Sequence, residues 1–548
     1  MSLLEEHYFI GVDVGSGSVR AALVTSGGHV KNVSSHPLQI WNPRPKFYEQ
    51  SSDNVWNACC MVVQTVTQDV DKDLVKGIGF DATCSLVVLD KDFKPTTVSL
   101  TGNDEQNVIM WMDHRAQDQA DRINATKHDV LKYVGGKVSL EMDMPKILWL
   151  KESMKSRCWD VASHFLTLSD FMTWKATGSL SRSLCALTCK FNYQSSPGKT
   201  GWNKDYLRRI GLEELIQDNF SKIGNTVLSS GQPCGSGLSQ KAAQELGLNP
   251  GTCVGAGILD AHAGAIGCLG CNVPDLDIPL TSKLAMTCGT STCHMILSKE
   301  MRFVQGVWGP LYGAVAPGLW LHEAGQSAAG KLIDHVIEMH PAYTDLKERA
   351  KSRGAHIHSE LNEILEKLSQ KQGLSNRGQL TADLHMWPDF HGNRSPVADS
   401  SLKGMLCGLT LNATKESLAL IYLATVQALA YGTRHILDVM KTSGYEDIQA
   451  VCACGGLSKN SLYIRMHADI VGLPFILPQE SESVLLGSAI LGAIAASHIP
   501  TIEDAMKSMC GNGEMVKPDM TVQEFHNKKY KVFLKMLSDQ QSYQQIME

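Results

Sequence analysis

The chain has 548 residues, enough for two or more domains with separate cores. Its 43% hydrophobic and 19% charged residues describe a globular protein and exclude a disordered or fibrous one. Fifty Lys and Arg against 56 Asp and Glu leave a net charge of −6, so no basic field recruits nucleic acid or an anionic membrane.

The N-terminal stretch, Met1 to His7, is short and acidic and lacks the basic and apolar regions of a signal peptide. With 16 scattered cysteines, this points to reduced thiols and a cytoplasmic protein. Tyr8 to Val14 alternates as a strand, and Val19 to Val24 reads as a second one. The turn between them predicts a hairpin. Gly15-x-Gly17 continues to Arg20 where a dinucleotide fingerprint has its third Gly, and it leads into a strand, so hydride-transfer chemistry loses its support. Backbone N–H groups of Gly15, Ser16, Gly17 and Ser18 can form an anion nest, with Asp13 holding Mg²⁺ through water. An ordinary hairpin turn with a surface Asp reads equally well.

Lys76 to Asp90 predicts strand–turn–strand, and Val130 to Glu152 and Ser163 to Thr177 predict mainly helix. Asp260 then stands alone among small and apolar residues, between Gly255 and Gly264. A carboxylate there loses water and needs donors, a cation or a substrate. The neighbouring His262 reads either as a group that orients Asp260 or as a packed structural partner. Pro274, Asp275, Asp277 and Pro279 mark a boundary between a domain of residues 1–272 and one of residues 273–548. Cys268 and Cys271 form a C-x-x-C without the second ligand pair of a structural zinc site and read as core or loop thiols.

A second Gly-rich turn follows at Gly289-Thr290-Ser291. Gly325 to Lys331 approaches a P-loop, but Leu332 replaces the Ser or Thr that ligates Mg²⁺. Glu323 is a candidate acceptor for a substrate hydroxyl, or a carboxylate favoured at a helix N-terminus. One long amphipathic helix is expected over residues 344–371, and further helices over 418–442 and 460–471. Gly455-Gly456, after the apolar run Ala450 to Cys454, lets a flat ligand approach the backbone, with Asn460 in place to bond it. Val484 to Ala496 is a buried helix; its 13 residues fall short of the ~20 that span a bilayer. Each half thus offers a β-rich phosphate turn followed by helices, an α/β design of two lobes with a cleft between them. One acid with several backbone-rich turns is what phosphoryl transfer requires.

In order and spacing, these segments resemble the FGGY carbohydrate kinases of the actin–hexokinase superfamily. Asp13 to Arg20 is similar to the first phosphate motif, with Ser16 for the usual Thr. Trp111, Asp113 and Arg115 resemble W-x-D-x-R, and Lys146 and Trp149 the core of the first signature, where Asp143 departs from Pro, Ser or Thr. Gly289 to Ser291 resembles the second phosphate turn and Gly455 to Asn460 the adenosine segment. Asp81 to Ser85, Lys190, Asp260 and Glu323 with Gln326-Ser327 look like the pentulose kinases, ribulokinases especially. Trp387 to Pro396 is similar to a eukaryotic branch of the family.

The resemblance implies two actin/hexokinase-like (ribonuclease H-like) domains and ATP-dependent phosphorylation of a sugar, D-ribulose on O5. It implies Asp260 as catalytic base and Thr83, Cys84, Lys190 and Glu323 around the sugar. Gly15 to Ser18, Gly289 to Ser291, Gly330, Gly455, Gly456 and Asn460 are then implied around ATP, and Asp13 near Mg²⁺. A homo-oligomer is compatible with it. L-ribulose, ribitol and D-xylulose kinases, a sugar-binding protein without turnover, and a phosphatase or ATPase of the same superfamily are the alternatives.

Overall fold

The computed structural model describes residues 6–274, 276–445 and 447–547. Residues 1–5 of the acidic N-terminal stretch and Asp275 of the expected boundary therefore lie outside the described residues. Two compact units emerge. The first is Met1–Thr281 with Met295–His322 and Pro478–Asn512; the second is Ser282–His294 with Glu323–Leu477 and Gly513–Glu548. Among the described residues no helix is long and apolar enough to cross a membrane.

The main sheet of the first unit runs Val30–Pro37, Ser18–Thr25, Tyr8–Val14, Val75–Ala82, Cys253–Val254. The expected hairpin is present, with Asp13 opposite Arg20. Tyr8–Val14 pairs on its other side with Val75–Ala82 in parallel. One face is covered by the helix Ser52–Thr67, whose Val55, Cys59, Val62 and Val66 form a buried stripe. Ser51 caps that helix by accepting from the Asn54 N–H at 3.2 Å.

The other face takes the helix Ser483–Ala495, buried along almost its whole length. Its backbone comes so close that side chains are excluded at the contact. A Cβ on Gly11 would fall 1.9 Å from the Leu485 carbonyl oxygen, on Gly77 2.2 Å from that of Gly492, and on Gly79 2.0 Å from that of Ser488. The same helix meets Asp260–Leu269 in the same way. A Cβ on Gly487 would fall 1.9 Å from the Ala263 oxygen, and one on Gly267 1.9 Å from the Ser483 oxygen.

In the second large sheet Lys283–Cys288 leads. Thr292–Ser298 and Trp320–Gln326 lie to one side, and Ala450–Cys454 and Phe475–Pro478 to the other. Tyr8–Val14 leads its own sheet in that arrangement, with a hairpin partner and a third strand on one side and later strands on the other. Ala450–Cys454 pairs with the leading strand in parallel.

Three segments differ from expectation, while the strand–turn–strand of residues 76–90 is present. Residues 344–371 form two helices, Tyr343–Ser352 and Ile357–Lys371. Gly354, at φ +62°, breaks the run, and His356 caps the second helix. The apolar period continues across the break, so periodicity could not reveal it. Residues 163–177 begin as a strand, His164–Thr167, whose last residue caps the helix Leu168–Thr177. Residues 130–152 hold a 3₁₀ turn, Asp129–Tyr133, ended by Gly135 and Gly136 at positive φ; the helix starts only at Asp143. Val75–Ala82 and Leu86–Leu89 are both strands but belong to different sheets.

Overpacking at these glycines should cost at least ~1–3 kcal/mol each in Gly79→Ala and Gly487→Ala. Gly17→Ala, where an added Cβ meets nothing within 4 Å, should stay within ~0.5 kcal/mol of wild type. Urea unfolding of the three variants measures the contrast.

Candidate active site

Three acids converge at the carboxyl ends of strands in the first unit, where α/β sheets bind ligands. Asp13 pairs in register with Asp81 of the neighbouring parallel strand. Asp81 in turn faces Ile258 of the short strand Ile258–Leu259. Asp260 follows as the first residue of the helix Asp260–Leu269. Asp81 is fully buried and Asp13 nearly so, whereas Asp260 keeps a partial opening to solvent.

Each acid has different partners. Arg20 donates to Asp13 Oδ2 from Nε at 3.1 Å and from Nη2 at 2.7 Å, and its Nη1 reaches Glu482 at 2.6 Å. This fork fixes the Asp13 rotamer and offsets its charge. Ser488 donates to Asp81 Oδ2, while Oδ1 has no hydrogen-bond partner. Burial, and then the Asp13 charge beside it, push Asp81 well above the usual carboxylate range. Burial, and then Asp13, push Asp260 up to about 6. The Ala261 N–H, 2.7 Å from Oδ1, opposes that shift, as do His262 and Lys190. Asp260 is therefore mostly ionised at neutral pH and a stronger base than an ordinary Asp.

The residues expected around a sugar gather nearby. Thr83 and Cys84 form the turn after Val75–Ala82, and the Thr83 N–H donates to the Val14 oxygen at 3.0 Å. Burial pushes the Cys84 thiol up to about 12, so it lines the turn as a neutral group. Lys190 ends the helix Leu184–Lys190 and is 2% exposed, its Nζ 4.4 Å from the centre of the Trp308 ring. Its charge acts on both Cys84 and Asp260. The Trp111 indole donates to Ser16 Oγ at 2.8 Å, and its backbone N–H donates to Ser85 Oγ at 3.2 Å. One tryptophan thus ties the turn of Gly15, Ser16, Gly17 and Ser18 to the turn of Thr83 and Cys84.

In the second unit Glu323 lies on the strand Trp320–Gln326 and is buried. Gly289-Thr290-Ser291 turns between strands, closed by the Gly289 N–H on the Ser291 oxygen at 2.8 Å. The helix Gly330–Glu338 is tied to this turn: the Gly330 N–H donates to Gly289 at 3.0 Å and the Ala329 N–H to Thr290 at 2.8 Å. Gly455, at φ +93°, lies so close to the leading strand that a Cβ would fall 2.4 Å from the Cys288 oxygen.

Gly289, Thr290, Gly330, Gly456 and Asn460 line one cavity of about 610 Å³. Ser291 and Gly455 are not among its lining residues. The Asn460 side chain has structural work: Oδ1 caps the helix Ser461–Val471 at the Leu462 N–H, 3.2 Å away, and Nδ2 donates to the Tyr422 hydroxyl at 2.7 Å.

Sequence reading left several residues unassigned. Asp81 stood in a recognised motif but gave no sign of its place between Asp13 and Asp260; parallel register supplies that. Lys331, Asp334, His356, His358 and Asn362 line the cavity. The last three come from the segment whose break periodicity hides. Burial lowers His358 to about 4, so it presents a neutral ring, stacked on Tyr422.

The family model of the FGGY carbohydrate kinases' N-terminal domain matches residues 8–267, and that of their C-terminal domain matches residues 284–496. A human protein named FGGY carbohydrate kinase domain-containing protein is 50% identical, covering 99% of this chain and 98% of its own length. A D-ribulokinase of Saccharomyces cerevisiae is 39% identical, over 90% of this chain and 72% of its own. Among solved structures, a xylulose kinase from Rhodospirillum rubrum shares the fold with a TM-score of 0.74. It is 19% identical and covers 98% of this chain and 99% of its own.

The raised Asp260 predicts a stability effect with a definite sign. Its folded value, about 6, exceeds the ~3.9 of an unfolded Asp, so ionisation costs the folded state nothing below about pH 4. The cost grows between pH 4 and 6 and is constant above. Asp260→Asn should therefore be more stable than wild type by about 2–3 kcal/mol at pH 8, with little gap at pH 4. Urea midpoints across that range test it; a gap independent of pH would refute the assignment.

Proposed function

The chain belongs to the FGGY family of carbohydrate kinases and is an ATP-dependent sugar kinase, and we propose that it phosphorylates D-ribulose on O5 to give D-ribulose 5-phosphate. One observation carries this reading. Asp260, a half-open carboxylate pushed up to about 6, stands at a helix start within the field of Lys190 and Asp13. Identity to a protein named D-ribulokinase supports the choice of sugar.

In this reading residues 1–272 supply the base, most of the sugar site and the first phosphate turn, and residues 273–548 supply Glu323, the second phosphate turn and the adenosine segment. Asp260 accepts the proton of the O5 hydroxyl as that oxygen attacks the γ-phosphorus of ATP in line and ADP departs. Lys190 and Glu323 hold sugar oxygens, and Thr83 and Cys84 present their backbone to the pocket. The Gly15 to Ser18 turn, the Gly289 to Ser291 turn and Gly330 border the phosphates; Ser16, Gly17, Thr290 and Ser291 offer N–H groups, while those of Gly15, Gly289 and Gly330 hold the turns in shape. Gly455, Gly456 and Asn460 border the adenosine. Since Asn460 is engaged as a cap, it acts by fixing that backbone.

Asp13, near the end of the strand Tyr8–Val14, presents hard carboxylate oxygens, the donors Mg²⁺ takes. Asp13 would hold the ion through water, its Oδ2 being bound to Arg20. Bound there, Mg²⁺ would neutralise phosphate charge.

A coupled ADP-release assay with D-ribulose, L-ribulose, ribitol, D-xylulose, D-arabinitol and glycerol tests the substrate. Turnover should be fastest on D-ribulose; a preference for another member would replace that sugar. Asp260→Asn should bind ATP and sugar yet lose at least ~10² in kcat. Near-normal turnover would remove Asp260 from the base role. The wild-type kcat/KM should fall as pH drops through about 6, where Asp260 takes up its proton. Lys190→Ala should raise the sugar KM with little change for ATP, and unchanged sugar kinetics would contradict its assignment.

A further inference from the structure

Beneath Asp260 lies a cluster that the kinase chemistry does not use. Cys185 and Cys189 are one helical turn apart on Leu184–Lys190, so their side chains share a face. His262, on the helix Asp260–Leu269, meets that face. Its Nδ1 is 3.0 Å from Cys185 Sγ. The two sulfurs and the imidazole nitrogen all lie within 4.8 Å of one another, and all three residues are buried. Among the described residues no other three His, Cys, Asp or Glu side chains bring their ligand atoms within 4.8 Å of one another.

We propose that Cys185, Cys189 and His262 form a binding site for a thiophilic divalent cation of the zinc class. Two thiolates on a tetrahedral zinc stand about 3.8 Å apart, with Zn–S ≈ 2.3 Å and Zn–N ≈ 2.0–2.1 Å. The ligand atoms of the cluster, within 4.8 Å of one another, lie in the range of such spacing. Each metal bound displaces two thiol protons into solvent, and the neutral imidazole donates its lone pair, so affinity rises with pH. The fourth position is left to water or an added thiol, as in three-ligand zinc sites.

Soft sulfur ligands reject Mg²⁺, so the site and the ATP-linked metal do not compete. Coordination would join the helix that ends in Lys190 to the helix that begins at Asp260. Metal binding itself does not depend on the kinase reading.

The test is titration of the reduced, metal-stripped full chain with Cd²⁺, followed by the ultraviolet charge-transfer absorption of cadmium thiolate. Cys407→Ser serves as background, because Cys407 is the exposed cysteine among the described residues. One equivalent should saturate the signal, and excess Mg²⁺ should give none. The signal should vanish in Cys185→Ser with Cys189→Ser. His262→Asn, which keeps both thiols, should weaken binding at least ~10-fold. Only variants whose melting profiles match the background are read. No signal in the folded background protein, or a signal that survives the double substitution, overturns the site. A second measurement, the rise in Tm with one equivalent of Zn²⁺, should follow the same pattern.

Discussion

Backbone pressed against backbone at glycine sets the geometry of the first unit. The helix Ser483–Ala495 lies on the strands Tyr8–Val14 and Val75–Ala82 through Gly11, Gly77 and Gly79, and on the helix Asp260–Leu269 through Gly487 and Gly267. No side chain can enter these contacts, so the three pieces have little freedom to slide. Asp13, Asp81 and Asp260 sit on those same pieces. The helix also supplies partners: Ser488 binds Asp81, and Glu482, just before it, binds Arg20. One 13-residue segment, some 400 residues from Asp81 in sequence, thus holds the whole acid cluster in place.

Within that frame, the same functional group takes three chemical roles. Asp13 is held in an ion pair by a guanidinium fork. Asp81, sealed and set beside another charge, is driven toward its protonated form. Asp260, half-open and at a helix start, stays poised near neutrality. Environments that separate carboxyl groups in this way are how a site obtains a base without also repelling an anionic substrate. The cost is stability: Asp260 is held ionised in poor solvent, a strain that a neutral isostere relieves.

The second unit uses glycine for a different purpose. Gly289, Gly330 and Gly455 draw a hairpin turn, a helix start and a strand end together, so that backbone at Gly289, Thr290, Gly330 and Gly456 forms part of the cavity wall beside the side chains that line the rest. Backbone amides suit a nucleotide's phosphates because they carry no competing charge and do not titrate. Asn460, Asn362 and Tyr422 brace that wall by hydrogen bonding one another.

Much of this was legible in the chain itself. Local patterns determined the strand alternation of Tyr8 to Val14, the glycine turns, the isolated acid at Asp260 and the short apolar helix near its end. Local chemistry dictates those features, and the order of motifs was enough to identify the family. Long-range contact decided the rest. Parallel register placed Asp81 between Asp13 and Asp260, and nothing near Asp81 in sequence announces it. The break at Gly354 keeps the apolar period intact, which hid His356 and His358 from any reading by periodicity. Cys185, Cys189 and His262 meet only because two helices cross 77 residues apart in sequence. Sequence fixes which groups are available, but pKa and ligand geometry depend on what else lies within a few ångströms, and only folding brings those neighbours in.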